Sequence, residues 1–147
     1  MNLKRILLLV ILVLAIIFGI NLMGSHEKPE LKGIHSLSIV PFGENGYRYT
    51  GVIEVYNPSI FQLRLSAIDL HFRLNRKPIG ILQHPINLNI SSKETGHYPF
   101  EIRFDKTEFD ITNARTIDAH FKGNLSNTSL FSKVNVDIDT TETVTIK

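Results

Sequence analysis

Histidine is the first residue type to test for chemistry in this chain, because an imidazole can act as a general base or as a metal ligand. The six histidines include no His-x-His pair and no His-Glu-x-x-His segment, so the sequence contains no helical zinc motif. His71 and His120 each lie between apolar neighbours, which favours solvent-facing positions on strands. Ligands from different strands could still converge without leaving a sequence signature. The six positions are His26, His35, His71, His84, His97 and His120.

Nucleophiles and anion-binding loops are equally sparse. No serine lies in a Gly-x-Ser-x-Gly segment, and the isolated glycines form no phosphate-binding loop. The chain has no cysteine, which excludes disulfides, thiol catalysis, cysteine metal ligands and lipoprotein acylation. The segment Asp137-Ile138-Asp139 lacks the glycine and the distal glutamate of a calcium-binding loop, so it is typical of a solvated strand face. We therefore expect no enzyme activity, no cofactor and no metal site.

The segment "VYNPSIFQL" places Asn57-Pro58 between two alternating apolar runs. Proline lacks a backbone N–H and biases the preceding residue toward extended or turn geometry. The Asn side chain can accept a hydrogen bond from the backbone two residues further on. The pair therefore predicts a structural corner at the end of a strand, and a binding role is the less favoured alternative.

Alternation of apolar and polar residues dominates the chain after residue 33, as in Tyr98, Phe100, Ile102 and Phe104. Such segments predict strands at roughly 34–42, 47–56, 61–74, 79–83, 85–91, 97–104, 116–125 and 132–146. Seven to eight short strands predict an all-β, antiparallel β-sandwich of immunoglobulin or fibronectin-III type, with a small barrel as the alternative.

Two further details concern the regularity of these strands. The apolar phase in 61–74 slips by one residue near Ser66-Ala67, which predicts a bulge or a change of sheet. The segment 106–115 carries Phe109, Ile111 and Ala114 at spacings that would suit a short helix.

An apolar run of eighteen residues from Ile6 to Met23, including Leu12 and Ile16, contains no charge. Its length predicts a transmembrane helix, and Lys4 and Arg5 before it predict a cytoplasmic N-terminus with the following domain extracytoplasmic, on the periplasmic or cell-surface side. Signal cleavage, giving an exported soluble protein, is the alternative. The predicted parts are a cytoplasmic N-terminus (1–5), the anchor (6–23), a tether (24–33) and the sandwich (34–147).

Charge gives no indication of a nucleic-acid partner. Of the 16 Lys and Arg residues, 14 follow the apolar run, as do all 14 Asp and Glu residues. The predicted domain is thus formally neutral, with both signs interspersed, and we expect no nucleic-acid binding.

The order of segments resembles the late-embryogenesis-abundant type-2 domain, which is closely related to the water-stress and hypersensitive-response (WHy) domain. The resemblance covers 31–147 and rests on "YTGVIEVYNPSIFQLRLSAIDLHFRLNRKPIG", with Asn57-Pro58 and then Ile79-Gly80, followed by "INLNISSKETGHYPFEIRFD". Ser59 stands where that family often has asparagine, which weakens the match slightly.

This resemblance implies a seven-stranded sandwich without catalysis that serves tolerance of drying, cold or other stress. We therefore expect a membrane-anchored, non-enzymatic protection domain whose partner is the membrane through its N-terminal helix. The alternative is an interaction module of the cell envelope that takes a lipid or a protein.

Overall fold

The computed structural model describes residues 3–24, 27–128 and 133–146, and it contains one helix followed by seven strands. The helix and strands follow one another in chain order as α1 (Leu3–Gly24), β1 (Glu30–Phe42), β2 (Gly46–Tyr56), β3 (Leu63–Leu74), β4 (Lys77–Ile90), β5 (Thr95–Asp105), β6 (Thr116–Thr128) and β7 (Lys133–Thr145). β1 begins at Glu30, within the 24–33 stretch for which the sequence predicts a tether.

The strands form two antiparallel sheets, a three-stranded sheet in the order β1-β2-β5 and a four-stranded sheet in the order β4-β3-β6-β7. Alternate residues of each inner strand are buried between the sheets, as in β2, where Tyr47, Tyr49, Ile53 and Val55 face inward. The predicted all-β sandwich is confirmed at this level.

The strand count is seven because the predicted segments 79–83 and 85–91 form one strand, β4. Pro85 lies within it and does not end it, because β4 is an edge strand whose partner among the described strands is β3. A proline at an edge need not donate a ladder hydrogen bond. The expectation of two strands here was wrong for this reason.

A register shift lies where the apolar phase of β3 slips. Leu65 pairs with Leu88 and Ala67 with Pro85, so β4 carries one extra residue opposite this step. The buried positions of β3 change phase between Leu65 and Ile68 at the same point. The bulge keeps one face of β3 toward the core along its whole length.

The segment 106–115 is a turn-rich loop, so the helix suggested by its apolar spacing is wrong. Asp105 and Asp110 accept hydrogen bonds from the backbone N–H of Thr107 (2.8 Å) and Thr112 (2.9 Å). Aspartates that bond the backbone two residues ahead compete with helical bonds and favour turns. The loop still buries Ile111 against the core.

An aromatic cluster forms the centre of the core. The ring of Tyr49 lies 4.9 Å from that of Phe72 and 5.8 Å from that of Phe121, and the Phe72 and Phe121 rings are 5.2 Å apart. Tyr49 comes from the three-stranded sheet, whereas Phe72 and Phe121 come from the four-stranded sheet. The cluster therefore joins the two sheets through side chains that are fully buried.

The single-pass membrane localisation predicted from the sequence is corrected by the structure. Over the part of the chain that the structure describes, no helix is both long and apolar enough to cross a membrane. The side chains of α1 are described for residues 4–19. Lys4, Arg5, Ile6, Leu12 and Ile16 are all exposed on this helix. The side chain of Met23 lies outside the described residues.

Truncation of the central aromatic ring tests the packing of the core. We expect Phe72→Ala to lower the free energy of unfolding by about 3–5 kcal/mol, because it removes a buried ring and leaves a cavity. Phe42→Ala is the matched control, since Phe42 is 39% exposed and contacts the guanidinium of Arg103 on the surface. Chemical denaturation of both variants measures the difference, and equal losses would contradict the assignment of Phe72 to the core.

Candidate functional site

Asn57 is the buried polar residue of the described core, with 2% of its surface exposed. It follows Tyr56, the last residue of β2, and precedes Pro58, which begins the connection to β3. The proline ends the strand because it has no N–H to continue the ladder. The sequence thus places a polar side chain at the point where the chain leaves the three-stranded sheet for the four-stranded sheet.

Both polar atoms of the Asn57 side-chain amide, Nδ2 and Oδ1, form hydrogen bonds. Its Nδ2 donates to the carbonyl oxygens of Phe61 (2.7 Å), Ile90 (3.1 Å) and Ser91 (3.1 Å). Its Oδ1 accepts a hydrogen bond from the backbone N–H of Ser59 at 3.1 Å. Since two hydrogens serve three acceptors, one bond is shared. Ile90 ends β4, so this amide connects the end of β2 to the other sheet.

Backbone contacts reinforce the same corner. The N–H of Asn57 donates to the Glu94 carbonyl, and the N–H of Lys93 donates to the Asn57 carbonyl, each at 2.9 Å. Lys93 has a left-handed backbone (φ 60°), and its Nζ donates to the Pro58 carbonyl. Ser92 Oγ donates to the Ser59 carbonyl at 2.9 Å. The loop between β4 and β5 is thereby held against the turn after β2.

This arrangement suits a structural role for Asn57-Pro58. A carboxamide does not titrate, so it cannot act as a general acid or base. Its donor and acceptor atoms are already occupied, and its burial leaves little surface for a ligand to contact. We therefore interpret Asn57-Pro58 as a structural corner in which the Asn57 side-chain amide joins the two sheets, and we call its hydrogen bonds the Asn57 staple.

Removal of this amide tests that interpretation. We expect Asn57→Ala to cost about 3 kcal/mol of unfolding free energy, since buried carbonyls and one N–H lose their partner. Asn57→Asp should cost more, because a carboxylate would face the same carbonyl oxygens. Asn89→Ala is the control, since exposed Asn89 bonds only Asn87 in the described chain (3.1 Å) and should change stability by less than about 0.5 kcal/mol. A loss of similar size for both alanine variants would refute the staple.

Two histidines flank one carboxylate on the outer face of the three-stranded sheet. His35 Nε2 lies 3.3 Å from Glu54 Oε2, and His97 Nδ1 lies 3.2 Å from Glu54 Oε1. β1, β2 and β5 supply one residue each, which sequence spacing alone did not reveal. Among the described residues, however, no group of three His, Cys, Asp or Glu is placed to hold a metal ion.

His120 and Asp139 form an ion pair across β6 and β7 on the outer face of the four-stranded sheet. His120 Nε2 lies 2.8 Å from Asp139 Oδ1, and Lys122 Nζ lies 3.9 Å from Asp139 Oδ2. The hydrogen bond from His120 is the main reason that the pKa of Asp139 lies below its ordinary value, and the charge of Lys122 adds to it. The lowered pKa stabilises the fold above the ordinary pKa of the carboxyl, and this stabilisation is lost as the pH falls through the lowered value.

Titration of the Asp139 carboxyl tests this contact. In His120→Phe the ring remains but the hydrogen bond is lost, so we expect the pKa of Asp139 to rise toward its ordinary value. Carbon-13 NMR of the carboxyl groups measures the change. The pKa of Asp110, which is lowered by hydrogen bonds from Thr112, should stay where it is in both proteins. An Asp139 pKa that does not move in the variant would contradict the role of His120.

A polar concavity of about 610 Å³ lies beside this pair, where β3 turns into β4. Its lining is charged and hydrogen-bonding, with no nucleophile activated by a base among the described contacts. No single segment of the sequence predicts this site, because its lining comes from β3, β6, β7 and the turn at Asn75-Arg76. The lining residues are Arg73, Asn75, Arg76, Asp118, His120 and Thr141.

Comparisons with known proteins support the fold. No family model matches the chain, and no curated protein matches it. The solution structure of AT1g01470 from Arabidopsis thaliana is similar, with a TM-score of 0.63 and 12% identity over 82% of each chain. A crystal structure of a protein from Archaeoglobus fulgidus matches with a TM-score of 0.56 and 9% identity, over 80% of this chain and 98% of that one.

A third structure carries a name that bears on function. The provisionally named late embryogenesis abundant (LEA) protein At2g46140.1 matches with a TM-score of 0.56 and 13% identity, over 97% of this chain and 85% of that one. At these identities the likeness shows a shared fold, and a fold by itself does not fix an activity.

Proposed function

We propose that this β-sandwich is a non-enzymatic protectant that shields labile molecules stoichiometrically when water is withdrawn. The observation that carries the proposal is the likeness to the LEA protein At2g46140.1, which extends over 97% of this chain. The sequence resemblance to the late-embryogenesis-abundant type-2 domain supports the same function independently of that structure.

The outer faces of the sandwich suit contact with many kinds of molecule. Each sheet presents ionised side chains of both signs, such as Arg103 beside Glu101 at 2.6 Å and Lys122 near Asp139 at 3.9 Å. Such a surface has no single-sign field to repel acidic or basic neighbours. As water is removed, these side chains can hydrogen-bond to the polar groups of a neighbouring protein or lipid.

The core suits a protectant that stays folded during drying. The aromatic cluster and the Asn57 staple both connect one sheet to the other. Among the residues whose side chains are described, those that form the buried core lie between Ile34 and Val144, within the strands and their loops. The described core therefore includes no residue of α1.

One observation favours the second candidate, an interaction module. The inward face of edge strand β4 is only partly covered, because Ile79, Leu82, Ile86 and Leu88 pack against the core but remain half-buried. On this side of the sandwich, the hydroxyl oxygen of Tyr98 in β5 lies 2.9 Å from Nε2 of His84 in β4. An acyl chain or an apolar peptide would find partly exposed side chains here.

Drying assays test the protectant function. Residues 27–147 should preserve a labile enzyme and the contents of liposomes through drying and rehydration, with protection rising in proportion to dose. Equal masses of albumin and of an unrelated β-sandwich are the controls. Protection no better than these controls would contradict the proposal and would direct attention to the β4 side.

Phe72→Ala supplies a matched control with nearly the same composition. At a temperature where circular dichroism shows this variant unfolded and the parent folded, only the parent should protect. Equal protection by both would mean that the folded surface is not required, which would also contradict the proposal.

A further inference from the structure

The concavity where β3 turns into β4 lies beside a row of side chains on the outer face of the four-stranded sheet. Arg73 of β3 pairs in register with His120 of β6, and His120 pairs with Thr141 of β7. Arg76 lies in the turn that follows and lines the same concavity of about 610 Å³. Two guanidinium groups thus lie at one open site that also offers a hydroxyl group.

The guanidinium groups of Arg73 and Arg76 make no ion pair within the part of the chain that is described. By contrast, two arginines of the three-stranded sheet form ion pairs with Glu101: Arg103 Nε lies 2.6 Å from Oε1 and Arg48 Nε lies 4.0 Å from Oε2. Both concavity arginines are exposed, so their donors can be directed to a ligand at little desolvation cost.

The backbone at Arg76 supplies an independent observation. The two-residue turn between β3 and β4 has positive φ at both positions, 46° at Asn75 and 72° at Arg76. Hairpin turns of this kind prefer Asn-Gly, because glycine adopts the second conformation without a Cβ penalty. Arginine at this position therefore keeps a strained backbone, and strain of this kind concentrates at functional sites.

The turn is fixed so that Arg76 remains near Arg73. The Asn75 N–H donates to the Asp118 carbonyl at 2.8 Å, and the Asp118 N–H donates to Asn75 Oδ1 at 3.0 Å. The Asp118 carboxylate accepts a hydrogen bond from Thr143 Oγ1 at 2.8 Å. It is the one carboxylate in the lining, against two guanidinium groups.

We propose that this concavity binds a phosphate group, held by the guanidinium groups of Arg73 and Arg76 with the Thr141 hydroxyl as a further donor. Guanidinium forks match the oxygens of phosphate in pairs and bind them through charge-assisted hydrogen bonds. The phosphate can belong to a free anion or to a lipid headgroup, because the recognising chemistry is the same. The site does not depend on the protective function.

NMR titration of the full-length chain in a neutral, phosphate-free detergent tests the site. Inorganic phosphate, added at constant ionic strength against chloride, should shift the Nε–Hε signals of Arg73 and Arg76 saturably, with a Kd of about 1 mM or tighter. A soluble short-chain phosphatidic acid is the second probe. A Kd about tenfold lower for the lipid assigns the site to a headgroup, whereas equal or weaker lipid binding assigns it to a free phosphate.

Three variants make the test specific. Arg73→Gln and Arg76→Gly should each weaken phosphate binding about tenfold or more, because each removes one charged donor pair. Arg76→Gly should also raise the Tm, since it relieves the positive-φ strain, so loss of binding cannot come from unfolding. Arg64→Gln removes the same charge from β3 away from the concavity and should leave the Kd unchanged. Absence of a saturable shift, or equal weakening by Arg64→Gln, would overturn the proposal.

Discussion

The side-chain amide of Asn57 is the contact on which the arrangement of the two sheets depends most directly. A buried polar group is unfavourable unless it is hydrogen-bonded, so Asn57 is tolerated only where its partners are in place. Those partners are carbonyl groups of the turn after β2 and of the end of β4. The native register of the sheets satisfies the amide, whereas a slipped register would leave it without partners. The corner thereby specifies the fold as well as stabilising it.

The inward-facing and outward-facing residues of the strands have different roles. Packing between the sheets is carried by inward-facing residues such as Tyr49, Phe72 and Phe121, which are fully buried. Most outward-facing residues of the same strands are charged or polar and at least partly exposed. Arg73 and Arg76 make no ion pair with any described residue, and Arg76 lies in a turn with positive φ beside the paired His120 and Asp139. This part of the surface therefore differs from a generic solvated face.

Alternation of apolar and polar residues predicted the sandwich, because successive side chains of a half-buried strand point to opposite faces. The change of apolar phase in β3 also predicted the position of the bulge opposite Pro85. Features that depend on several strands were not predictable. His35 and His97 converge on Glu54 only through sheet order, and two of the three carbonyl partners of Asn57 come from the distant end of β4. In 105–112, local Asp-to-backbone bonds prevailed over a helical spacing. The length of the N-terminal apolar run led to a membrane assignment that the described helix does not support.

Hydrogen exchange of the Asn57 side-chain amide is the most direct test of whether this group joins the two sheets. Nitrogen-15 NMR in the native protein resolves its Nδ2 protons, and the exposed amide of Asn89 serves as the internal reference. We expect the Asn57 protons to be strongly protected and to exchange only when the sandwich unfolds. Exchange as rapid as that of Asn89 would mean that the amide is not held between the sheets, which would contradict the role of Asn57 in joining them.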